Sequence, residues 1–226
     1  MQVMPNFLPH IEIESGANPT AAVIWLHGLG ADGNDFATVV PQLQLNGCQI
    51  IRFIFPHAPS MPVTVNGGYV MPAWYDILGA NLICQQDAVG IKRSENAITA
   101  LINRELGRGI SHQNIVIAGF SQGCAMALHT GLRYTQKLAG IVALSGYLPL
   151  ADTLAHDRSQ ANANTPIFMA HGTQDQVVVM ERGEESKNAL IAMGYSVQWQ
   201  TYVMGHSVHP DELADISNFL RAVLKA

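Results

Sequence analysis

The chain has 226 residues, of which 48% are apolar and 13% are charged, whereas an average soluble domain has roughly 25% charged residues. Its formal net charge is −5, from 12 basic and 17 acidic residues, so a broad basic face for nucleic acid is not expected. These values exclude a disordered chain and predict a single domain, 1–226, with a large core.

The sequence lacks the features that direct a chain to a membrane or to an oxidising compartment. No apolar run approaches the ~20 residues of a membrane span, and the first basic residue is Arg52, too late for a secretory signal. Three widely spaced cysteines, Cys48, Cys84 and Cys124, predict neither a disulfide framework nor a zinc site. We therefore expect a reduced, cytoplasmic protein with no stable membrane insertion.

Short apolar runs alternate with longer segments of helical spacing. Runs typical of parallel strands covered on both faces lie at 22–26, 50–55, 115–118, 140–144, 166–170 and 196–202. Helical patterns fit 33–46, 86–107, 122–136, 180–193 and 210–224. The alternation predicts an α/β fold, with helices on both faces of a mostly parallel sheet. Segments 56–82 and 146–164 do not fit it.

A serine between two glycines follows the third predicted strand, in Gly119-Phe120-Ser121-Gln122-Gly123. The pattern is weak by itself, but here it lies between a strand and a helix. A strained turn at that place needs small residues on both sides, so that the serine Oγ stands clear of the sheet edge. The alternative is a capping serine in a glycine-flanked turn. The position favours Ser121 as a nucleophile.

A nucleophilic serine needs a base and a group that orients the base. Hydrolases of this topology place the acid and then the histidine after later strands. Asp175 follows the fifth predicted strand and His206 follows the sixth. His209 is the rival base, although its place before Pro210 suits a helix cap. Three other histidines that follow strands are in the wrong chain order and are expected to bond local loops: His27, His57 and His171.

The first predicted strand ends in a glycine-rich turn that allows two interpretations. Its backbone N–H groups and that of Gln122 can form an oxyanion hole. The stretch Gly28-Leu29-Gly30-Ala31-Asp32-Gly33 also spells the G-x-G-x-x-G pattern of dinucleotide-binding oxidoreductases, which requires an acidic residue ~20 positions later. No Asp or Glu lies between Asp35 and Asp76, and Arg52 lies inside a strand. The nucleotide interpretation is therefore disfavoured.

Five motifs occur in chain order: His27-Gly28-Leu29-Gly30, Pro56-His57-Ala58-Pro59, Met71-Pro72-Ala73-Trp74-Tyr75-Asp76, Gly119-Phe120-Ser121-Gln122-Gly123 and Met204-Gly205-His206. Together they resemble the phospholipase/carboxylesterase family of α/β-hydrolases, which includes acyl-protein thioesterases and small bacterial carboxylesterases. The resemblance covers nearly the whole chain. It implies an α/β-hydrolase fold and a triad of Ser121, Asp175 and His206. It also implies an oxyanion hole formed by the backbone N–H groups of Leu29 and Gln122.

The resemblance further implies no cofactor or metal, and substrates that are oxyesters or thioesters of acyl groups. The substrate class extends from small molecules and lysophospholipids to acylated proteins. One departure is Cys124, where the family usually has a second glycine. A side chain there would crowd the helix start or narrow the pocket, but Cys124 is not expected to be a nucleophile. The segment 146–164 is too short for a large lid domain.

An acyl chain needs an apolar groove, and the region 60–83 is rich in apolar side chains. They are Met61, Val63, Val65, Tyr69, Val70, Met71, Trp74, Ile77, Leu78, Leu82 and Ile83. We take Trp74, Leu78 and Met71 as candidate substrate-binding residues, although packing onto the core is the alternative for each. A catalytically silent binding protein is disfavoured because every triad position is filled. The sequence leaves open a homodimer and transient contact with lipid.

Overall fold

A computed structural model describes residues 7–79 and 85–225. Nine strands occur in this part of the chain: β1 (His10–Glu14), β2 (Ala21–Leu26), β3 (Ile51–Pro56), β4 (Ser60–Val63), β5 (Tyr69–Pro72), β6 (Ile115–Phe120), β7 (Gly140–Leu144), β8 (Ile167–Gly172) and β9 (Val197–Tyr202). Seven of them form one sheet in the order β1-β3-β2-β6-β7-β8-β9. All its pairs are parallel except β1 with β3. The predicted mostly parallel sheet is confirmed.

Helices connect most of the parallel strands. In the described part they are α1 (Asn34–Ala37), α2 (Ala88–Gly107), α3 (Gln122–Arg133), α4 (Ala151–Asp157), α5 (Met180–Ala192) and α6 (Pro210–Val223). The helix predicted over 33–46 is wrong in extent, because α1 has only four residues and a separate 3-10 turn follows at Val40–Gln42. Pro41 lacks an N–H group and disfavours helical geometry in the residue before it, so the helix cannot continue.

The two segments that broke the alternation contain short elements that the sequence patterns did not indicate. In 56–82, β4 and β5 form an antiparallel hairpin separate from the main sheet. In 146–164, the one α-helix is α4, of seven residues. Consequently, no large lid domain is present within residues 7–79 and 85–225. The candidate groove residues Leu82 and Ile83, like Cys84, lie outside the described residues.

Two apolar clusters cover the two faces of the sheet, and β2 shows how one strand serves both. Ala22, Ile24 and Leu26 belong to the cluster under α2 and α3, whereas Val23 and Trp25 belong to the cluster under α1 and α6. Because successive side chains point to opposite faces, a strand covered on both sides is largely apolar along its length. In the part of the chain that the structure describes, no helix is long and apolar enough to span a membrane.

Candidate active site

The turn between β6 and α3 places Ser121 at the sheet edge. Ser121 has φ 56° and ψ −117°, and its side chain makes no capping hydrogen bond to α3. A Cβ on Gly119 would lie 2.0 Å from the Gly123 carbonyl oxygen, and one on Gly123 would lie 2.1 Å from the Leu26 carbonyl oxygen. Both flanking glycines are therefore required, because a larger residue at either position would collide with backbone. The serine holds a strained conformation that its surroundings impose.

An aspartate and a histidine from two later loops meet beside this turn. His206 Nδ1–H donates to Asp175 Oδ2 over 2.7 Å. The other carboxylate oxygen, Oδ1, accepts the N–H groups of Val177 and Val178, each at 2.9 Å. The His206 ring packs against Phe120, next to Ser121 in the chain, with 4.7 Å between ring centroids. A buried, fully bonded carboxylate thus orients an imidazole next to the serine turn.

The remaining histidines that follow strands bond loops or caps, as expected. His209 Nδ1 accepts the Asp211 N–H and caps α6. The other three bond the backbone of loops at this edge of the sheet: His27 Nε2 accepts the Ala58 N–H at 3.0 Å, His57 Nδ1 accepts the Gly33 N–H at 3.1 Å, and His171 Nε2–H donates to the Val178 carbonyl at 2.7 Å. In this structure His209 is engaged by its own helix, whereas His206 is engaged by Asp175.

The turn after β2 lies against Ser121. A Cβ on Gly28 would be 3.3 Å from the Ser121 Cβ. The Gly30 N–H donates to the Pro72 carbonyl at 2.9 Å, whereas those of Leu29 and Gln122 donate no hydrogen bond within the described residues. Leu29, Gln122 and Ser121 line the same cavity. Two uncommitted backbone donors therefore flank the serine, as an oxyanion site requires.

The side chain of Gln122 has a separate role, which the sequence did not indicate. Its Oε1 accepts the Trp74 N–H at 2.8 Å and its Nε2 donates to the Tyr75 carbonyl at 2.7 Å. Both backbone groups belong to buried residues. Gln122 therefore fixes the segment after β5 to the start of α3.

A cavity of about 340 Å³ opens next to Ser121, near the lower end of the roughly 300–1,000 Å³ typical of ligand pockets. Its apolar lining comes from Leu29, Val65, Ile77, Val177 and Val178. Tyr75 and Tyr147 also line it, and their hydroxyl groups are 2.9 Å apart. Burial raises the pKa of Tyr75 well above its ordinary value and also raises the pKa of Tyr147, so both phenols are neutral. The cavity suits an apolar group.

The structure does not place the three candidate substrate-binding residues on the wall of this cavity. Trp74 is fully buried, and its Nε1–H donates to the His27 carbonyl at 2.9 Å. Met71 lies in β5 beside Gly30. Leu78 is 39% exposed. Burial of its large apolar ring favours a place for Trp74 in the core, where the His27 carbonyl satisfies the indole N–H.

Residues from other loops form much of the cavity wall instead. Tyr147 follows β7, and Val177 and Val178 follow β8. None of them belongs to a motif, so only their position after a parallel strand could have indicated them. Val65 and Ile77, which also line the cavity, do come from the apolar region 60–83.

The cysteine at the start of α3 packs inward. Cys124 is fully buried, and a Cβ on Gly146 would lie 2.6 Å from its Sγ. The absence of a side chain at Gly146 thus provides the space that the thiol occupies, and the crowding expected at the helix start is relieved there. Burial raises the pKa of the Cys124 thiol, which keeps it protonated and unreactive. Within residues 7–79 and 85–225, no group of three or more His, Cys, Asp or Glu side chains could hold a metal ion.

Comparisons with known proteins find similarities that extend over nearly the full chain. The family model for phospholipases and carboxylesterases matches residues 8–224. The chain is 44% identical to acyl-protein thioesterase 1 of Gibberella zeae, with 91% of each chain covered. It is 40% identical to that of Yarrowia lipolytica, covering 98% of this chain and 100% of the relative.

Solved structures of similar proteins also superpose on nearly the full chain. Arabidopsis thaliana SOBER1 superposes with a TM-score of 0.85 at 30% identity, covering 91% of this chain and 99% of that one. Zea mays acyl-protein thioesterase 2 superposes with a TM-score of 0.83 at 29% identity, covering 96% and 100%.

Proposed function

The chain belongs to the phospholipase/carboxylesterase family of α/β-hydrolases, and from that premise we propose that it hydrolyses acyl esters or thioesters through Ser121, Asp175 and His206. The motif resemblance is confirmed, and the chain is a serine hydrolase of the carboxylesterase/thioesterase kind. The observation that carries the proposed triad is the 2.7 Å bond between Asp175 and His206 beside the strained serine turn.

The proposed reaction is acyl transfer to water in two steps. Asp175 holds the Nδ1–H tautomer of His206, which leaves Nε2 free to take the Ser121 proton as Oγ attacks the acyl carbon. The backbone N–H groups of Leu29 and Gln122 stabilise the oxyanion of the tetrahedral intermediate. His206 then protonates the leaving alkoxide or thiolate, and water repeats the sequence on the acyl-enzyme.

The cavity beside Ser121 supports an acyl chain as the recognised part of the substrate. Its aliphatic lining and neutral phenols hold no charged group, and burial of each methylene contributes about 0.8 kcal/mol. Thioesterase relatives act, by their names, on acylated proteins. We propose the same substrate class here, with the acyl chain in the cavity and the alcohol or thiol component outside it.

The alternative dinucleotide site receives no support from the glycine-rich turn. A Cβ on Gly33 would lie 2.3 Å from the Phe55 carbonyl oxygen, and the Gly30 N–H is bonded to Pro72. Packing against β3 and the hairpin thus explains these two glycines without a pyrophosphate.

The test is covalent labelling with a fluorophosphonate, mapped by peptide mass spectrometry. We expect one adduct, on Ser121, and we expect Ser121→Ala to lose both the adduct and about 10⁶-fold in kcat. Ser207→Ala, which changes an exposed serine next to His206, is the matched control and should keep both. An adduct that persists in Ser121→Ala would contradict the proposal. Turnover of p-nitrophenyl esters and acyl-CoA thioesters of increasing length then defines the acyl preference.

A further inference from the structure

His171 is a buried imidazole beside the proposed triad to which the mechanism gives no role. It lies near the end of β8 and is 1% exposed. Its Nε2 is 2.7 Å from the Val178 carbonyl oxygen and 3.5 Å from Asp175 Oδ2. Since the carbonyl can only accept, Nε2 carries the proton and points toward the turn that holds Asp175.

The surroundings of His171 restrict the position of its ring. A Cβ on Gly183 would lie 2.4 Å from Nδ1, so α5 approaches the ring closely because residue 183 has no side chain. The Trp199 ring of β9 lies on another side, 6.2 Å away between centroids. Burial lowers the pKa of His171, and the imidazole is therefore a neutral donor.

The turn from Asp175 to Val178 is held from both ends. At one end, Asp175 Oδ1 accepts the Val177 and Val178 N–H groups. At the other end, the His171 Nε2–H donates to the Val178 carbonyl. The carboxylate is thereby fixed with Oδ2 directed at His206 Nδ1, 2.7 Å away. We propose that His171 is a positioning residue, which holds the 175–178 turn so that Asp175 can orient the catalytic base.

This inference rests on the proposed function, because it concerns the same triad. Without the His171 N–H, the Val178 carbonyl would be buried without a donor, and the turn would shift to find one. A shift of about 1 Å in a catalytic group costs about 10²-fold in rate. The turn also carries Val177 and Val178 of the cavity wall, so its shift should change KM as well, whereas the loss in kcat should arise through Asp175.

A double-mutant cycle tests this coupling. The variants are His171→Phe, Asp175→Asn and the double variant, with kcat normalised to the folded fraction from circular dichroism. We expect His171→Phe to lower kcat about 10²-fold in the wild-type background and less than about threefold in the Asp175→Asn background, because coupled residues are not additive. His171→Gln, whose amide can reach the same carbonyl, should restore kcat to within about fivefold of wild type.

His129→Phe is the matched control, since His129 is an equally buried histidine that bonds Glu95 from α3. It should change kcat less than about threefold in both backgrounds. Equal losses for His171→Phe in the two backgrounds, or a His171→Gln variant as impaired as His171→Phe, would overturn the inference alone. An Asp175→Asn variant with unchanged kcat would overturn the proposed triad and the inference with it. If His171→Phe does not fold, His171→Met, which also lacks the N–H, replaces it in the cycle.

Discussion

Replacing the Gln122 side chain separates its structural role from the catalytic role of its backbone N–H. Gln122→Met keeps the length of the side chain but removes both hydrogen bonds to the segment after β5. The Trp74 N–H and the Tyr75 carbonyl would then lack partners. Both residues are buried, at 0% and 2% exposure, so water cannot replace the lost bonds without local opening.

The loss of stability can be worked out from the unpaired Trp74 N–H and Tyr75 carbonyl. An unsatisfied buried backbone group costs about 1–3 kcal/mol, so the two together should lower the free energy of unfolding by about 2–6 kcal/mol. In a chain of this size each kcal/mol lowers Tm by about 2–4 °C, and we expect a decrease of roughly 4–24 °C. The backbone N–H stays in place, so kcat per folded molecule should fall less than about tenfold, whereas loss of an oxyanion donor costs about 10²–10³.

The assay combines thermal unfolding by circular dichroism with kcat on a p-nitrophenyl ester, normalised to sites titrated by fluorophosphonate. Gln176→Met is the control, because Gln176 is exposed in the loop after Asp175. Its Tm should stay within about 2 °C of wild type. A Gln122→Met variant with unchanged Tm and a 10²-fold lower kcat would refute the argument, since the amide side chain would then be the oxyanion donor.

Two further predictions concern the last loop and helix. His206→Ala should lose several orders of magnitude in kcat/KM. His209→Ala should keep kcat/KM within about tenfold of wild type and lose about 1 kcal/mol of stability with its helix cap. An inactive His209→Ala beside an active His206→Ala would make His209 the catalytic base instead. Burial raises the pKa of Glu212 to about 7, so the folded protein retains a proton that the unfolded chain releases near its ordinary value of 4.5. Stability should therefore fall by on the order of 3 kcal/mol as pH rises from about 4.5 to 7, and urea unfolding of Glu212→Gln should lack this decrease.

Local patterns in the sequence predicted much of the sheet and the order of the candidate site residues. The nearly continuous apolar runs identify β2, β3, β6, β7 and β8, because a strand covered on both faces is largely apolar. The serine turn was recognisable because its requirements are local: a strand, two glycines and a helix within a few residues. Asp175 and His206 could be named because parallel strands bring their following loops to one edge.

Tertiary structure decided what depends on contacts between distant parts of the chain. Gln122 bonds residues 47 and 48 positions away, and neither partner shows any local signal for it. Trp74 was a candidate for acyl binding, but its ring packs in the core and its N–H donates to the His27 carbonyl. The cavity wall combines loops after β7 and β8 with the region after β4, and Cys124 is accommodated by the missing side chain of Gly146. The sequence determined the local preference of each segment for strand, helix or turn and the order of these elements along the chain. Packing determined which polar groups find partners and which surfaces remain open, because those depend on atoms that only folding brings together.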